Sequence, residues 1–167
     1  IKDGENLMDT SYPNTQLFIN GHWKDAAAKE TIDVINPATE SVIGQMAHAR
    51  KEDLDEALEA ANLSFQKWKN VNSFDRYKIL RKAAEIIRQR SNEIARIMTI
   101  EHGKPIGESL AEVNLGADIT DWLAEEARRA YGRLIPSRST DVYQMVVKEP
   151  VGPVAGSVSY THIRAHE

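Results

Sequence analysis

Short runs that alternate apolar and polar residues occupy the first part of the chain and predict two antiparallel hairpins. The first hairpin places a strand at 17–19, the dipeptide Asn20-Gly21, and a returning strand. Asn-Gly favours the positive φ angles that a tight two-residue turn requires. The second hairpin is predicted over 31–46, with a turn at 36–39. Together they form a small antiparallel element ahead of the main body.

Apolar residues spaced three and four apart then predict three long helices. The first carries a single apolar stripe over 54–68. The second is expected to begin near Ser73, a good N-cap residue, and to end at Gly103, with a proline two residues later. The third is predicted over 107–130, closed by Gly132, and its apolar residues lie on two faces. A helix of that kind packs between two layers or against a partner subunit.

Two further apolar runs predict strands after the third helix. Residues 142–148 alternate in a way that leaves apolar side chains on both faces, and 151–156 begin a short apolar strand. No internal repeat or low-complexity linker interrupts the chain. The order of hairpins, helices and late strands predicts an α/β fold class, with three long helices and the start of a larger sheet.

The composition is that of an ordinary globular protein and argues against several kinds of partner. The 167 residues are 41% hydrophobic and 28% charged, with a formal net charge of −4. This balance provides no electrostatic reason to bind nucleic acid or an anionic membrane. No apolar run approaches the roughly 20 residues that cross a bilayer, and the first ten residues lack a signal-peptide core. A cytoplasmic protein without nucleic-acid or membrane partners is the expectation.

Two clusters invite a functional interpretation, and each has a simpler structural one. Glu101, His102 and Lys104 have the residue types of acid–base chemistry, but charges beside the glycine that ends a helix explain them better. Gly152 and Gly156 lack the Gly-x-Gly-x-x-Gly turn of a phosphate cradle, so close packing of a strand is the better interpretation. The chain contains no cysteine, which excludes disulfides, thiolate metal sites and a cysteine nucleophile within it.

Both ends of the sequence are expected to be foreign to the domain. Residues 1–7 are interpreted as translated leader, because codons just upstream of Met8 can spell a ribosome-binding site. The domain is predicted to span 8–156 and to be a truncated part of a larger one. Residues 157–167 are interpreted as a non-native tail, since the text from Val158 onward resembles a translated sequencing adapter.

The tail contains a tempting metal motif. His162 and His166 stand four residues apart with Glu167 beside them. On a helix both imidazoles would share a face, as the ligands of a metal ion do. Because these residues lie in the stretch that resembles an adapter, we predict no metal site.

Five blocks of sequence, taken in order, resemble the N-terminal part of the aldehyde dehydrogenase superfamily. No single block is decisive, but five blocks in the family's order and at about its spacing are very specific. The resemblance covers 17–156 and implies the family's α/β fold, in which 151–156 would begin a Rossmann-like sheet. The blocks are Ile19-Asn20-Gly21-His22-Trp23, Ile35-Asn36-Pro37-Ala38-Thr39, Arg76-Tyr77-Lys78-Ile79-Leu80, Glu101-His102-Gly103-Lys104-Pro105 and the segment from Glu149 to Gly156.

Two stretches, 98–109 and 122–132, are most similar to succinate-semialdehyde dehydrogenases. The resemblance therefore implies a parent enzyme that oxidises a small-molecule aldehyde to its carboxylic acid with NAD or NADP. It also implies a homodimer or homotetramer joined by a bridging sheet. Another semialdehyde, a sugar-acid aldehyde, or a non-catalytic structural protein on the same fold are the alternatives.

The resemblance implies a mechanism whose parts are not found in this chain. In such enzymes a cysteine thiolate attacks the aldehyde, hydride passes to NAD(P), and a glutamate base helps water to release the acid. An asparagine side chain and a backbone N–H stabilise the oxyanion. The family's Pro-Trp-Asn-Phe segment would follow Gly156, where this chain has Ser157. We therefore assign no catalytic, cofactor-binding or metal-binding residue, and expect the chain alone to be inactive and to bind no cofactor.

Overall fold

The computed structural model describes residues 12–156, so the predicted leader at 1–7 and tail at 157–167 lie outside the described residues. Within the described range, four strands are followed by four helices and two further strands. The elements are β1 (Leu17–Ile19), β2 (His22–Lys24), β3 (Thr31–Asn36), β4 (Ser41–Ala47), α1 (Lys51–Trp68), α2 (Ser73–Gln89), α3 (Ser91–His102), α4 (Ile106–Ala127), β5 (Arg133–Ile135) and β6 (Gln144–Val146).

The two N-terminal hairpins form as predicted. β1 and β2 pair antiparallel, and the two turn residues have positive φ, 52° at Asn20 and 81° at Gly21. Positive φ at both central residues is the geometry that matches the twist of the flanking strands. β3 and β4 also pair antiparallel, and the Asn36 side chain accepts the Ala38 N–H at 2.9 Å in their turn. The prediction of a small antiparallel element is confirmed.

The prediction of three helices is wrong, because the segment 73–102 forms two helices rather than one. The chain leaves helical geometry at Arg90, where φ is −101° and ψ is 13°. Ser91 and Asn92 follow, and both residue types favour helix ends over helix interiors. The Arg90 guanidinium donates two hydrogen bonds, of 2.9 and 2.8 Å, to Glu93 in the first turn of α3. The apolar spacing continues across this break, so periodicity alone could not reveal it.

The boundaries of α2 and α3 follow local chemistry closely. α2 begins at Ser73, but its N-cap is Asn72, whose Oδ1 accepts the Asp75 N–H at 3.0 Å. An asparagine cap therefore replaces the predicted serine cap, and both residue types satisfy the same free donor. At the other end, α3 stops at His102 and Gly103 follows in the left-handed region, as predicted.

The late strands are shorter than predicted and pair differently. β6 keeps three residues of the predicted 142–148 strand and pairs antiparallel with β5, a strand that was not predicted from the sequence. α4 ends at Ala127, and Gly132 does not close it; instead Gly132 lies where a Cβ would collide with the Val146 carbonyl oxygen. Residues 151–156 form no strand, which corrects the predicted start of a larger sheet. No strand within residues 12–156 pairs with them, and an extended segment needs such a partner.

Small side chains form the core where the helices meet. α4 packs against both α2 and α3. Small residues at these contacts let neighbouring helix axes approach closely. The buried residues that α4 contributes are Ser109, Val113, Ala117 and Ala124, and α2 and α3 contribute the buried residues Ala84 and Ala95.

Large apolar side chains remain exposed on the opposite face of α4 and around the β5–β6 hairpin. We call this set the outer apolar surface. Trp122 is 70% exposed and Tyr143 is 84% exposed. Exposed apolar side chains gathered in this way mark an interaction surface. Within residues 12–156, no helix combines the length and apolar character needed to cross a membrane. The members of the outer apolar surface are Leu115, Ile119, Trp122, Leu123, Leu134, Tyr143, Met145 and Val147.

Candidate functional site

The charged cluster indicated by the sequence lies at the C-terminal end of α3. We call Glu101, His102, Gly103 and Lys104 the α3 corner. Gly103 has φ of 69°, and its N–H donates to the Thr99 carbonyl at 2.9 Å. This left-handed glycine closes the helix and turns the chain towards α4.

The α3 corner packs against the turn between β3 and β4. A Cβ on Gly103 would lie 2.9 Å from Pro37 Cγ and 3.1 Å from the Ala38 nitrogen. Glycine is therefore required both for the left-handed backbone and for this close approach. The contact brings together two of the sequence blocks on which the family resemblance depends, although they are far apart along the chain.

Glu101 accepts a hydrogen bond from a residue 89 positions away. The Tyr12 hydroxyl donates to Glu101 Oε2 at 3.1 Å. Partial burial of the phenol and the negative charge of Glu101 raise the pKa of Tyr12 above its ordinary value of 10.0. The phenol therefore remains protonated at neutral pH and holds the carboxylate as a donor.

Lys104 and two hydroxyl groups connect α3 to the start of α4. The Lys104 ammonium forms an ion pair with Glu112. The Thr99 and Ser109 hydroxyls lie 2.8 Å apart, and Ser109 is fully buried. Since a buried hydroxyl without a partner is costly, this pair helps to fix the angle between the two helices.

The structure directs the charged groups of the α3 corner to different elements. Glu101 interacts with the N-terminal segment and Lys104 with α4, so the two are held as structural contacts. This arrangement agrees with their interpretation as charges at a helix end; that the chain carries no catalytic residue stays a prediction. Among residues 12–156, no group of three or more His, Asp or Glu is placed to hold a metal ion. His162 and His166 lie outside the described residues.

The helix starts do not suit the pyrophosphate of a nicotinamide dinucleotide. Each described helix carries acidic residues in its first turn, where they interact favourably with the positive end of the helix dipole. The same carboxylates would repel a phosphate group, which binds at helix starts in dinucleotide sites. Gly152 and Gly156 belong to a segment without helix or strand. The first-turn acids are Glu52 and Asp53 in α1, Asp75 in α2, Glu93 in α3 and Glu108 in α4.

Sequence reasoning missed a buried carboxylate at the start of α1. Asp53 accepts the Arg50 N–H and the Ala27 N–H, each at 2.9 Å. These two hydrogen bonds, the first from Arg50, lower the pKa of Asp53 below its ordinary value of 3.8. The side chain thereby ties α1 to the connection between β2 and β3. An acid three residues after the cap position is the available sequence signal, since it is half of a capping box.

The basic residues of α2 that face α4 are paired with its acids. Arg88 contacts Asp118 at 2.7 Å and Asp121 at 2.6 Å. Arg81 Nη1 lies 2.9 Å from Asp121 Oδ1, at ion-pair distance but without the geometry of a hydrogen bond. Through these pairs, Arg81 and Arg88 contribute to the contact between α2 and α4.

Comparison with known proteins agrees with this architecture. The family model described as "Aldehyde dehydrogenase family" matches residues 23–161. Glutarate-semialdehyde dehydrogenase of Pseudomonas putida is 37% identical over 149 residues, which are 89% of this chain and 31% of that protein. Succinate-semialdehyde dehydrogenase (NADP(+)) of Escherichia coli is 35% identical with the same coverage. The crystal structure of succinate-semialdehyde dehydrogenase from Burkholderia pseudomallei has a TM-score of 0.80 at 32% identity, covering 83% of this chain and 29% of that one.

The similarity is extensive for this chain and partial for its relatives. The chain spans 31% of the length of these two curated relatives. The match to the family model includes β3, β4, the four described helices and the glycine that ends α3. The resemblance stated from the sequence blocks is confirmed, and the chain belongs to the aldehyde dehydrogenase family.

Proposed function

We propose that this chain is the N-terminal part of an NAD(P)-dependent aldehyde dehydrogenase that oxidises succinate semialdehyde to succinate. The observation that carries the proposal is the joint similarity of sequence and fold to semialdehyde dehydrogenases. The sequence stretches 98–109 and 122–132 support the same substrate class. The first stretch runs from the end of α3 into the start of α4, and the second includes the end of α4.

The substrate class has a definite chemistry. Succinate and glutarate semialdehydes both carry an aldehyde at one end and a carboxylate at the other, and they differ by one methylene. A pocket discriminates one methylene by only about 1–3 kcal/mol, so closely related enzymes divide these substrates by small changes. Glutarate semialdehyde, or a sugar-acid aldehyde, is therefore the alternative substrate, and a non-catalytic structural protein is the alternative function.

The reacting groups of the proposed enzyme have to come from protein beyond this chain. The chain has no cysteine to act as the thiolate nucleophile. Its helix starts carry acids rather than a phosphate site. When bound to the complete enzyme, the nicotinamide would accept the hydride. The part played by the described residues is structural: the α3 corner and the α2–α4 packing hold the scaffold on which that site would be built.

The full-length protein provides the test. Continuation of the gene past the Ser157 codon should encode Pro-Trp-Asn and, further downstream, a cysteine in a Gly-Gln-x-Cys context. The purified full-length enzyme should form NADH or NADPH, followed at 340 nm, with succinate semialdehyde preferred over glutarate semialdehyde and a sugar-acid aldehyde. Replacing that cysteine by serine should abolish the signal. A gene without the cysteine would refute the enzyme and favour the structural protein.

A second test concerns the chain itself. The purified 167-residue chain should form no NAD(P)H from any aldehyde in the panel, because loss of the nucleophile removes the covalent route entirely. It should also leave the fluorescence of added NADH unchanged. Aldehyde-dependent NADH formation by this chain would show that the active site has been placed wrongly.

We also propose that the complete enzyme is a cytoplasmic homodimer or homotetramer. The support is the outer apolar surface, where the β5–β6 hairpin exposes side chains such as Met145, which is 72% exposed. Light scattering of the full-length protein gives its mass in solution. A monomer at micromolar concentration would contradict the assembly without affecting the proposed chemistry.

A further inference from the structure

The segment 12–15 lies along the side of β4 that β3 leaves free. The Thr15 N–H donates to the Gln45 carbonyl at 2.9 Å, and the Ala47 N–H donates to the Thr15 carbonyl at 2.8 Å. Between them, Asn14 Oδ1 accepts the Gln45 N–H at 3.0 Å. The segment therefore satisfies two backbone donors of β4 that point away from β3.

Tyr12 anchors the same segment to the helical layer. A Cβ on Gly44 would lie 2.6 Å from Tyr12 Cδ1, so the ring occupies space that any side chain at Gly44 would need. Beyond the ring, the hydroxyl donates to Glu101 in the α3 corner. One short segment thus contacts β4 through its backbone and α3 through a single side chain.

We propose that residues 12–15 form a strap that closes the free edge of β4, and that the hydrogen bond from Tyr12 to Glu101 is its latch. A strand edge with free N–H and C=O groups can pair with other chains. Exposed apolar side chains on β4 would favour such pairing further, since Val42 is 58% exposed and Met46 is 43% exposed. Closing the edge with a polar strap removes the free backbone groups that such pairing needs.

The strap can open without unfolding the helices. Three hydrogen bonds hold it to β4, at positions that are exposed or half-buried, and within residues 12–156 the latch is the hydrogen bond that joins it to α3. Segments with few buried contacts open locally, at a lower free energy than global unfolding. A hydrogen bond to a carboxylate is stronger than one between neutral groups. Of the contacts that hold the strap, loss of the latch should therefore increase its local opening most.

Hydrogen exchange of the β4 amides tests the proposal on the full-length protein. Tyr12→Phe removes the hydroxyl and keeps the ring over Gly44. We expect the Gln45 and Ala47 amides to exchange roughly tenfold faster in this variant. Amides of α2 and α4, measured in the same sample, should keep their protection.

Two glycine substitutions provide the second variant and its matched control. Gly44→Ala should displace the Tyr12 ring and accelerate exchange at Gln45 and Ala47 at least as much. Gly116→Ala makes the same chemical change where an added Cβ meets nothing within 4 Å, and it should leave β4 unaffected. Unchanged exchange at Gln45 and Ala47 in both test variants would overturn the proposal. Loss of protection throughout α2 and α4 would also overturn it, since the strap would then not be a separate unit.

Discussion

The α3 corner and the outer apolar surface belong to the same helical layer, yet only the first is complete within the described residues. At the α3 corner, Gly103 fits against a hairpin turn, Glu101 accepts from Tyr12 and Lys104 pairs with Glu112. The outer apolar surface instead leaves side chains such as Trp122 in solvent, on the same helix α4 that pairs with Lys104. We call the face of α4 that packs against α2 and α3 its inner face. The comparison shows that the inner face has partners within the described residues, whereas the outer apolar surface is left exposed.

The two ends of the α2–α4 contact show which side chains pack against the inner face of α4. Near the start of α2, the Arg128 guanidinium lies 5.2 Å from the centre of the Phe74 ring and 4.9 Å from that of Tyr77. Further along, small residues such as Ala84 and Ala117 bring the helices together. A cation–π contact and close packing of small side chains thus hold the inner face of α4 against α2. The outer apolar surface has no such contact within residues 12–156.

A larger side chain on the inner face of α4 should have the largest effect on the free energy of unfolding. Ala117→Leu adds three carbon atoms at a fully buried position between α4 and its neighbours. We expect a loss of about 1–3 kcal/mol in the free energy of unfolding. Ala111→Leu, at an exposed position of the same helix, is the matched control and should change it by less than about 0.5 kcal/mol. Urea unfolding followed by circular dichroism measures both. Equal effects would mean that the inner face is not tightly packed.

Lowering the pH should reduce the stability of the fold, because it protonates the Asp53 carboxylate. Because its pKa is lowered in the folded state, the ionised carboxylate stabilises the fold above its ordinary value of 3.8. That contribution should be lost as pH falls from 3.8 through the lower folded-state pKa. Asp53→Asn should therefore lower the melting temperature at neutral pH and flatten its fall in acid. Glu52→Gln, an exposed neighbour, is the control. Parallel acid profiles for Asp53→Asn and the unchanged chain would contradict the role given to Asp53.

Alkali should release the latch between Tyr12 and Glu101 and have a smaller effect. The pKa of Tyr12 is raised in the folded state. The protonated phenol therefore contributes fully to the stability of the fold below pH 10.0, and this contribution is lost as the pH rises through the folded-state pKa. A difference titration at 295 nm between the chain and Tyr12→Phe isolates this phenol. We expect its midpoint above 10.0. A midpoint at or below 10.0 would contradict the combination of partial burial and contact with Glu101 that raises the pKa of this phenol.

Changes on the outer apolar surface should have the smallest effect on the free energy of unfolding. They should instead alter solubility and self-association. We predict that the isolated chain is poorly soluble, partly molten or oligomeric, because this surface and the strand edges near it are uncovered. Leu134→Lys combined with Met145→Lys should reduce ANS fluorescence and favour the monomer in size-exclusion chromatography. The free energy of unfolding should change by less than about 0.5 kcal/mol. A sharp monomeric peak without dye binding in the unchanged chain would refute the prediction.

Much of the fold was predictable from local signals. The Asn20-Gly21 turn predicted β1 and β2, and the apolar stripes predicted helix over α1 to α4, although they joined α2 and α3 into one helix. The break at Arg90 escaped prediction because the apolar spacing is continuous across it and the cap is a short polar motif. At the candidate site, the charged cluster and Gly103 were visible in the sequence. The partner of Glu101 was not, since Tyr12 lies 89 positions away.

The sequence by itself determined the Asn20-Gly21 turn, the glycine that ends α3 and the family blocks, because each depends on residues that are neighbours in the chain. Only the tertiary structure decided which groups meet. It placed the strap over Gly44, joined Lys104 to α4 and gave one face of α4 a partner while leaving the other exposed. It also left 151–156 without strand structure despite their apolar pattern. The physical reason is that strands and buried faces are stabilised by partners distant in sequence, which no local pattern specifies.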